Sequence, residues 1–374
     1  MSTLAIFILL LTNTGTPETS PLRLRVLLSE NTSEGRISVT HTVHIILPER
    51  NKALRTLPPF SGQSITCQNG QIQLGQSRMP SGEILLVPEW NGALQWEGKV
   101  YRGSFLLRPI SSSRFHVLNI VSLEDYVAGV LPTEMGSRAP LEALKAQAIC
   151  ARTYAVAQMK ERARSGFDAY ADVRDQVYGG VHKNPIFDRA TRETRGTLLI
   201  HKTQPFKTYF HSTCGGGTES VLSWKGDPNI QPLSGSRCPS CSHAKWFRWT
   251  TPLTRKEVST ALASRTNNQE VQQLKIREWN NQNRIETILI VTQQNQKITI
   301  SGTEFRSLLG PNKIRSTRWT VTPTPTGWSL LGKGWGHGVG LCQEGAMGFA
   351  KQGAGFQQIL SRYYPGANLE EKYR

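Results

Sequence analysis

No apolar run in this 374-residue chain reaches the roughly 18–20 residues a membrane-spanning helix needs, which excludes a multipass membrane protein. Acidic residues are scarce. Against 27 Asp and Glu stand 44 Lys and Arg, a formal net charge of +17. So large an excess points to an anionic partner: nucleic acid, an acidic polysaccharide or a membrane surface. Six cysteines are too few for a disulfide scaffold. No internal repeat or long low-complexity linker interrupts the chain. What is present suffices for a core: 38% apolar residues, with 9 Trp and 12 Phe, exclude a wholly disordered chain.

The first apolar stretch, Leu4–Leu11, has the length of a secretory h-region, although no Lys or Arg precedes it. We read residues 1–21 as an export signal or N-terminal membrane-associating segment, and the protein as exported to the periplasm or cell envelope. Residues 22–100 form a β-rich region. Segments such as Leu22–Leu28, Arg36–Leu47, Gly82–Val87 and Phe115–Val121 are rich in Val, Ile and Leu between Gly/Ser/Asn turns.

At Ser122 the period changes. Ser122-Leu123-Glu124-Asp125 has the form of a capping box, with Asp where Glu or Gln is usual, and predicts a short helix ending near Pro132. Ala139-Pro140 opens a second helix running to Gly166, small-sided through Ala143, Ala146, Ala148, Ala151 and Ala155. We assign 101–250 as the core unit, 251–330 as an α+β insertion, and 331–374 as a Gly-rich segment and two short helices completing the core. The fold class is α+β, with β arms around a helical core.

Four places can carry chemistry. Glu134 sits beside Val130, Leu131, Pro132 and Met135, where desolvation raises a carboxyl pKa toward that of a general acid. By spacing alone a lone carboxylate is a weak signal. His211 precedes Cys214-Gly215-Gly216-Gly217, a loop whose backbone N–H groups can bind oxygens. Cys214, Cys238, Cys241 and His243 have intervals suited to tetrahedral Zn, leaving His211 for a cleft. A Cys238–Cys241 disulfide and free thiols stand as alternatives. Finally, Gly332–Gly340 places Trp335 and His337 among alternating glycines, a platform on which a ring stacks on a sugar and polar groups take its hydroxyls. It lacks the closing lysine and Ser/Thr of a P-loop.

Taken together, these segments resemble the stage II sporulation protein D (SpoIID/LytB) family. The likeness runs from about Tyr101 to Tyr364. It rests on Leu123–Met135, Glu142–Ala148, Ala151–Ala155, Gln176–Gly180, His211–Gly216, Gly334–Gly340 and Tyr363–Gly366, in that order. The resemblance implies a lytic transglycosylase that cuts peptidoglycan between N-acetylmuramic acid and N-acetylglucosamine, preferring strands stripped of peptides. It places the catalytic acid at Glu134. His211, Ser212, Gly215, Gly216, Trp335, His337 and Gln343 line the cleft. Tyr126, Gln147, Arg152 and Tyr154 also match, as substrate contacts or as helix packing. The family usually has Ser where this chain has Cys342, a change expected to matter little.

On this reading the net charge attracts a glycan whose lactyl groups make it a polyanion. The structural cofactor is zinc, with no organic one, and an N-acetylmuramoyl-L-alanine amidase is a candidate partner. Sporulation, division and wall remodelling are all compatible roles. The competing reading is a non-catalytic wall binder or amidase enhancer; an intact Glu134 favours the enzyme. Nucleic-acid binding rests on charge alone and is not expected, since no basic run or RNA-binding motif supports it.

Overall fold

The computed structural model describes residues 22–50, 52–90, 92–223 and 229–373. The apolar stretch at Leu4–Leu11 lies outside them. No helix among the described residues is long and apolar enough to cross a membrane.

Val/Ile/Leu alternation folds the N-terminal part into two sheets. One has seven strands in the order Ala169–Tyr170, Arg23–Thr32, Phe115–Ser122, Ser104–Pro109, Ile84–Pro88, Val43–Leu47 and Lys52–Leu57. The other has six, in the order Lys99–Tyr101, Leu94–Trp96, Glu34–Val39, Phe60–Gln68, Gln71–Leu74 and Ser77–Ser81. Leu24, Val26, Val43 and Ile45 of the first share one core with Ile37, Val39, Ile65 and Ile72 of the second. The opposite side of the seven-stranded sheet buries Leu27, Ile46, Leu85, Leu106, Leu118 and Ile120. Each such side chain contributes about 1.5–3 kcal/mol. The single strand expected over Arg36–Leu47 is two, Glu34–Val39 and Val43–Leu47, and they belong to different sheets.

Helix α1 (Leu123–Met135) starts where expected, with Ser122 Oγ accepting the Asp125 N–H. It does not end at Pro132. Proline removes a single backbone donor. The last turn is tied down by Thr133 Oγ1, which donates to Val130 O at 2.8 Å, and by the Gly136 N–H on Pro132 O. Glu134 therefore stands on a helical turn.

Helix α2 (Leu141–Glu161) runs through the middle of the core, its alanines almost wholly buried. It packs against α1, α3 (Ile186–Glu193) and the strand Thr197–His201. Arg152 of α2, fully buried, forms a bidentate pair with Glu124 of α1, Nε to Oε1 at 2.9 Å and Nη2 to Oε2 at 2.7 Å. Its remaining donors reach Thr191 O and Thr197 O, which ties α3 and the following strand to the same point.

Residues 249–330 bury a core of their own, from Trp249 and Leu253 to Trp328 and Leu330. Two three-stranded antiparallel sheets surround it. One is Arg248–Thr254, Gly327–Lys333 and Trp319–Thr324; the other is Val271–Trp279, Ile285–Thr292 and Lys297–Ser301. Helices α4 (Arg255–Ala261), α5 (Ala263–Thr266) and α6 (Gly302–Leu309) accompany them. The box at Thr254 is complete, with Thr254 and Glu257 each capping the other's backbone. The chain then returns through the Gly-rich loop to α7 (Gln343–Lys351) and α8 (Phe356–Tyr363), both of which pack on α2.

Candidate active site

Phe210–His211 pairs in parallel with Leu341–Cys342, so the two Gly-flanked motifs lie side by side. Cys342 is the N-cap of α7, and Gln343 is that helix's first residue. The side chain of Gln343 is thereby aimed at the last turn of α1, where Nε2 donates to Glu134 Oε2 at 3.2 Å. The other carboxylate oxygen, Oε1, accepts the Val177 N–H at 3.0 Å.

Val177 is held there because the loop 176–180 lies directly on α1. Val177 O and Val130 O share the one hydroxyl proton of Thr133, and the Gly179 N–H donates to Gly129 O at 3.0 Å. Gly129 makes this approach feasible: a Cβ there would lie 2.4 Å from the Tyr178 ring.

Glu134 is half-buried. Burial raises its pKa, and the two hydrogen bonds only partly oppose that. Both donors are neutral, so neither supplies the full charge that would hold the carboxyl ionised. The arrangement suits a group that gives up a proton and later takes one back.

His211 is buried, and its Nδ1–H faces Val339 O at 3.1 Å. Burial, reinforced by the Arg284 cation, pushes the imidazole down to about 3, so the ring is neutral across physiological pH. Nε2 keeps its lone pair and has no hydrogen-bond partner among the described residues. His337 is different. Its Nε2–H donates to Phe210 O at 2.8 Å, and Nδ1 accepts the Val339 N–H at 3.1 Å. Both ring nitrogens are committed to backbone, so the expected hydrogen bond from His337 to a sugar is corrected: this ring props the loop against His211, 5.3 Å away between centroids.

Trp335 joins the site through its backbone, exchanging hydrogen bonds with Thr213 at 2.7 and 3.0 Å. Its half-buried ring stands edge-on to Trp246, whose face carries the Arg315 guanidinium at 3.7 Å. Ser212 is half-buried, and its carbonyl accepts the Glu344 N–H at 3.0 Å. Gly215 is buried with its carbonyl on Arg318 Nη1, whereas Gly216 is exposed.

Tyr126, Gln147 and Arg152 are not on a surface a glycan can touch; all three are fully buried. Tyr126 stacks on Tyr178, and Arg152 is consumed by Glu124. Tyr154 is buried too, with its hydroxyl on Asp175 Oδ1 at 3.2 Å. For these four the packing alternative is the one the geometry supports.

The sulfur cluster also departs from expectation. Cys214, Cys238 and Cys241 converge, but the fourth sulfur is that of Cys342, all four lying within 4.8 Å of one another. His243 stands outside, its side chain substantially exposed and Nε2 3.2 Å from Glu344 Oε2. Sequence proximity pointed to His243. The parallel pairing of 341–342 with 210–211 brings Cys342 to Cys214 instead.

Two further features of the site carry no signal in the sequence. Val177 acts through its backbone, which no residue type announces. The second is a buried ion pair, Arg284 with Glu219, Nε to Oε1 at 3.2 Å. Glu219 also receives Asn280 Nδ2 at 2.8 Å, and its N–H donates to Gly338 O at 2.8 Å. Arg284 Nη1 donates to Gly336 O at 3.3 Å. A Cβ on Gly338 (φ +92°) would lie 2.4 Å from Arg284 Nη2, so the loop carrying His337 is pressed onto a residue of the second unit.

The fold and site thus define an α+β protein with a partly desolvated carboxyl group between a helix end and two Gly-rich loops. Residues 111–201 match the Stage II sporulation protein family, and residues 233–340 match a domain of unknown function. The chain is 34% identical over 292 residues to an uncharacterized protein of Brachyspira hyodysenteriae, covering 77% of each. It is 29% identical over 273 residues to stage II sporulation protein D of Bacillus subtilis, covering 67% of this chain and 75% of that one. An amidase enhancer of Bacillus subtilis is 25% identical over 291 residues, which span 64% of this chain and 40% of that protein. The chain belongs to the stage II sporulation protein D family.

Proposed function

We propose that the protein is an exported lytic transglycosylase of peptidoglycan glycan strands, with Glu134 as both acid and base. The observation that carries this reading is the setting of Glu134: half-buried, raised in pKa, and held at its two oxygens by Val177 and Gln343. Protonated Glu134 donates to the glycosidic oxygen as the C1–O4 bond breaks and positive charge develops at C1. The carboxylate then takes the proton of the muramic C6 hydroxyl, and C1–O6 forms as the 1,6-anhydro ring. The proton count closes on one carboxyl group, without the water and second carboxylate of hydrolysis.

Neutral His211, whose Nε2 meets no partner among the described residues, suits acceptance of a hydrogen bond from a sugar hydroxyl. The formal charge of +17 suits a substrate bearing one lactyl carboxylate per naked disaccharide. The similarity to an amidase enhancer supports work alongside an amidase, which would supply peptide-free strands.

The test is release of soluble fragments from amidase-stripped strands by wild type and by Glu134→Gln. Release by wild type and loss of at least about 100-fold in the variant support the proposal. Equal release by both, or binding without release by either, refutes it; the second result favours the non-catalytic reading.

A further inference from the structure

We propose that Cys214, Cys238, Cys241 and Cys342 hold one Zn²⁺ ion, and that this ion sets the position of Gln343 against Glu134. The metal site stands on its own geometry; only its coupling to Glu134 rests on the glycan-cleaving reading.

All four side chains are fully buried, and their sulfurs lie within 4.8 Å of one another. Four thiolates at ~2.3 Å from one ion in a tetrahedron would be ~3.8 Å apart, so an ion fits with little movement of the chain. The ligands come from three separate segments of the main core, which one ion would tie together. Four sulfurs complete the shell of Zn²⁺ and leave no open position, so the ion is structural, not a Lewis acid for the reaction.

Backbone N–H groups face the sulfurs. Cys342 Sγ accepts the N–H groups of Cys214 at 3.2 Å and Gly345 at 3.3 Å. Cys214 Sγ accepts the Gly216 N–H at 3.4 Å. The Tyr363 hydroxyl lies 3.0 Å from Cys238 Sγ. Donors aimed at sulfur are the outer shell expected around metal-bound thiolate. A disulfide would instead join sulfurs in pairs at about 2.05 Å; Cys214 and Cys241 are 3.4 Å apart.

Coupling follows from chain order. Cys342 is at once a ligand, the N-cap of α7 and the residue before Gln343. Its register partner is His211. An ion at these sulfurs therefore fixes the loop after His211-Ser212 through Cys214, and the first turn of α7 through Cys342. Gln343 is positioned by it; the ion itself touches no reacting atom.

The full chain, purified under reducing conditions, should contain one zinc per molecule by elemental analysis. Exchange with Co²⁺ should give the intense visible bands of tetrahedral thiolate coordination. Cys342→Ser keeps a capping oxygen and removes one ligand: Co²⁺ should bind at least about 10-fold more weakly, with altered bands. His243→Ala should leave both unchanged. Four free thiols without metal, a mass lower by a disulfide, or a Co²⁺ spectrum that responds to His243→Ala and not to Cys342→Ser would overturn the site.

Coupling has a separate test. Cys342→Ser and Gln343→Ala should each lower kcat with KM little changed, and the double variant should fall no further than Gln343→Ala alone. Additive losses would overturn the coupling. The metal measurements need no glycan, so a protein that binds zinc but cleaves nothing would retain this site and refute the proposed activity.

Discussion

Gln343 donates its side-chain amide to Glu134 at 3.2 Å across 209 positions of sequence, closing the site between the two halves of the core. Gln343→Ala removes this donor and leaves the Val177 N–H in place. General acid–base groups contribute about 10²–10⁴-fold, and loss of a partner that aims one should cost about 10-fold or more in kcat on stripped glycan. Gln343→Glu sets a like charge beside Glu134 and raises its pKa further. The alkaline limb of its pH–rate profile should move to higher pH; a limb that moves to lower pH or stays fixed contradicts the assignment of Glu134 as the acid.

Glu134 also makes a prediction for stability. Its pKa is raised in the folded protein, so folding disfavours the ionised form. The folded state binds the proton more tightly than the unfolded one, so stability falls as pH rises above the unfolded value of about 4.3. Glu134→Gln should melt higher than wild type at pH 7, with the gap closing below about pH 4. A variant that melts lower at pH 7 would show that the carboxylate stabilises the fold.

Arg152 and Glu124 distinguish packing from substrate contact. Breaking this buried pair on one side, as in Arg152→Met, should cost about 3–5 kcal/mol in urea unfolding. Arg152→Met with Glu124→Leu should recover much of the loss, since no charge is then left buried and unpaired. The folded fraction of the double variant should bind glycan as wild type does. Weak binding by a stable double variant would return Arg152 to the cleft.

Arg284 and Gly338 report on the second unit. Gly338→Ala forces a Cβ toward Arg284 Nη2 at a backbone angle of +92°. It should lower cleavage strongly while leaving the thiol site able to take up Co²⁺. Arg284→Met leaves Glu219 buried without its cation and should destabilise by about 3–5 kcal/mol. Calorimetry and Co²⁺ titration together check both. Unchanged cleavage by Gly338→Ala would mean that the loop has no part in the reaction.

The net charge of +17 bears on substrate binding. Binding of the inactive Glu134→Gln protein to stripped strands should weaken steadily as salt is raised, because the Debye length shrinks from about 10 Å at 0.1 M to about 3 Å at 1 M. Pelleting at a series of salt concentrations measures this. Salt-independent binding would assign the excess of basic residues to something other than the glycan.

The elements that local physics decides were legible in the chain. Ser122 and Thr254 cap helices because their hydroxyls satisfy backbone donors three residues on, and the alternating Val/Ile/Leu runs give strands. The α+β class follows from the same patterns. What long-range pairing decides was not legible. Arg36–Leu47 divides between two sheets. Cys342 displaces His243 because a parallel ladder, not sequence proximity, brings it to Cys214. Arg152 and His337 carry polar groups that would serve a ligand equally well, and their commitment to Glu124 and to backbone appears only once the partners are in place. Glu134 was a weak signal by spacing, and its neighbours Val177 and Gln343 are what distinguish it from a solvated helix-end carboxylate.

The most direct measurement is the mass of the glycan ends formed from amidase-stripped strands by wild type and by Glu134→Gln. Transglycosylation by one carboxyl group predicts 1,6-anhydro-muramic ends, lighter by one water than reducing ends, from wild type and none from the variant. Reducing muramic ends would contradict the account, because they require water as nucleophile and a second base.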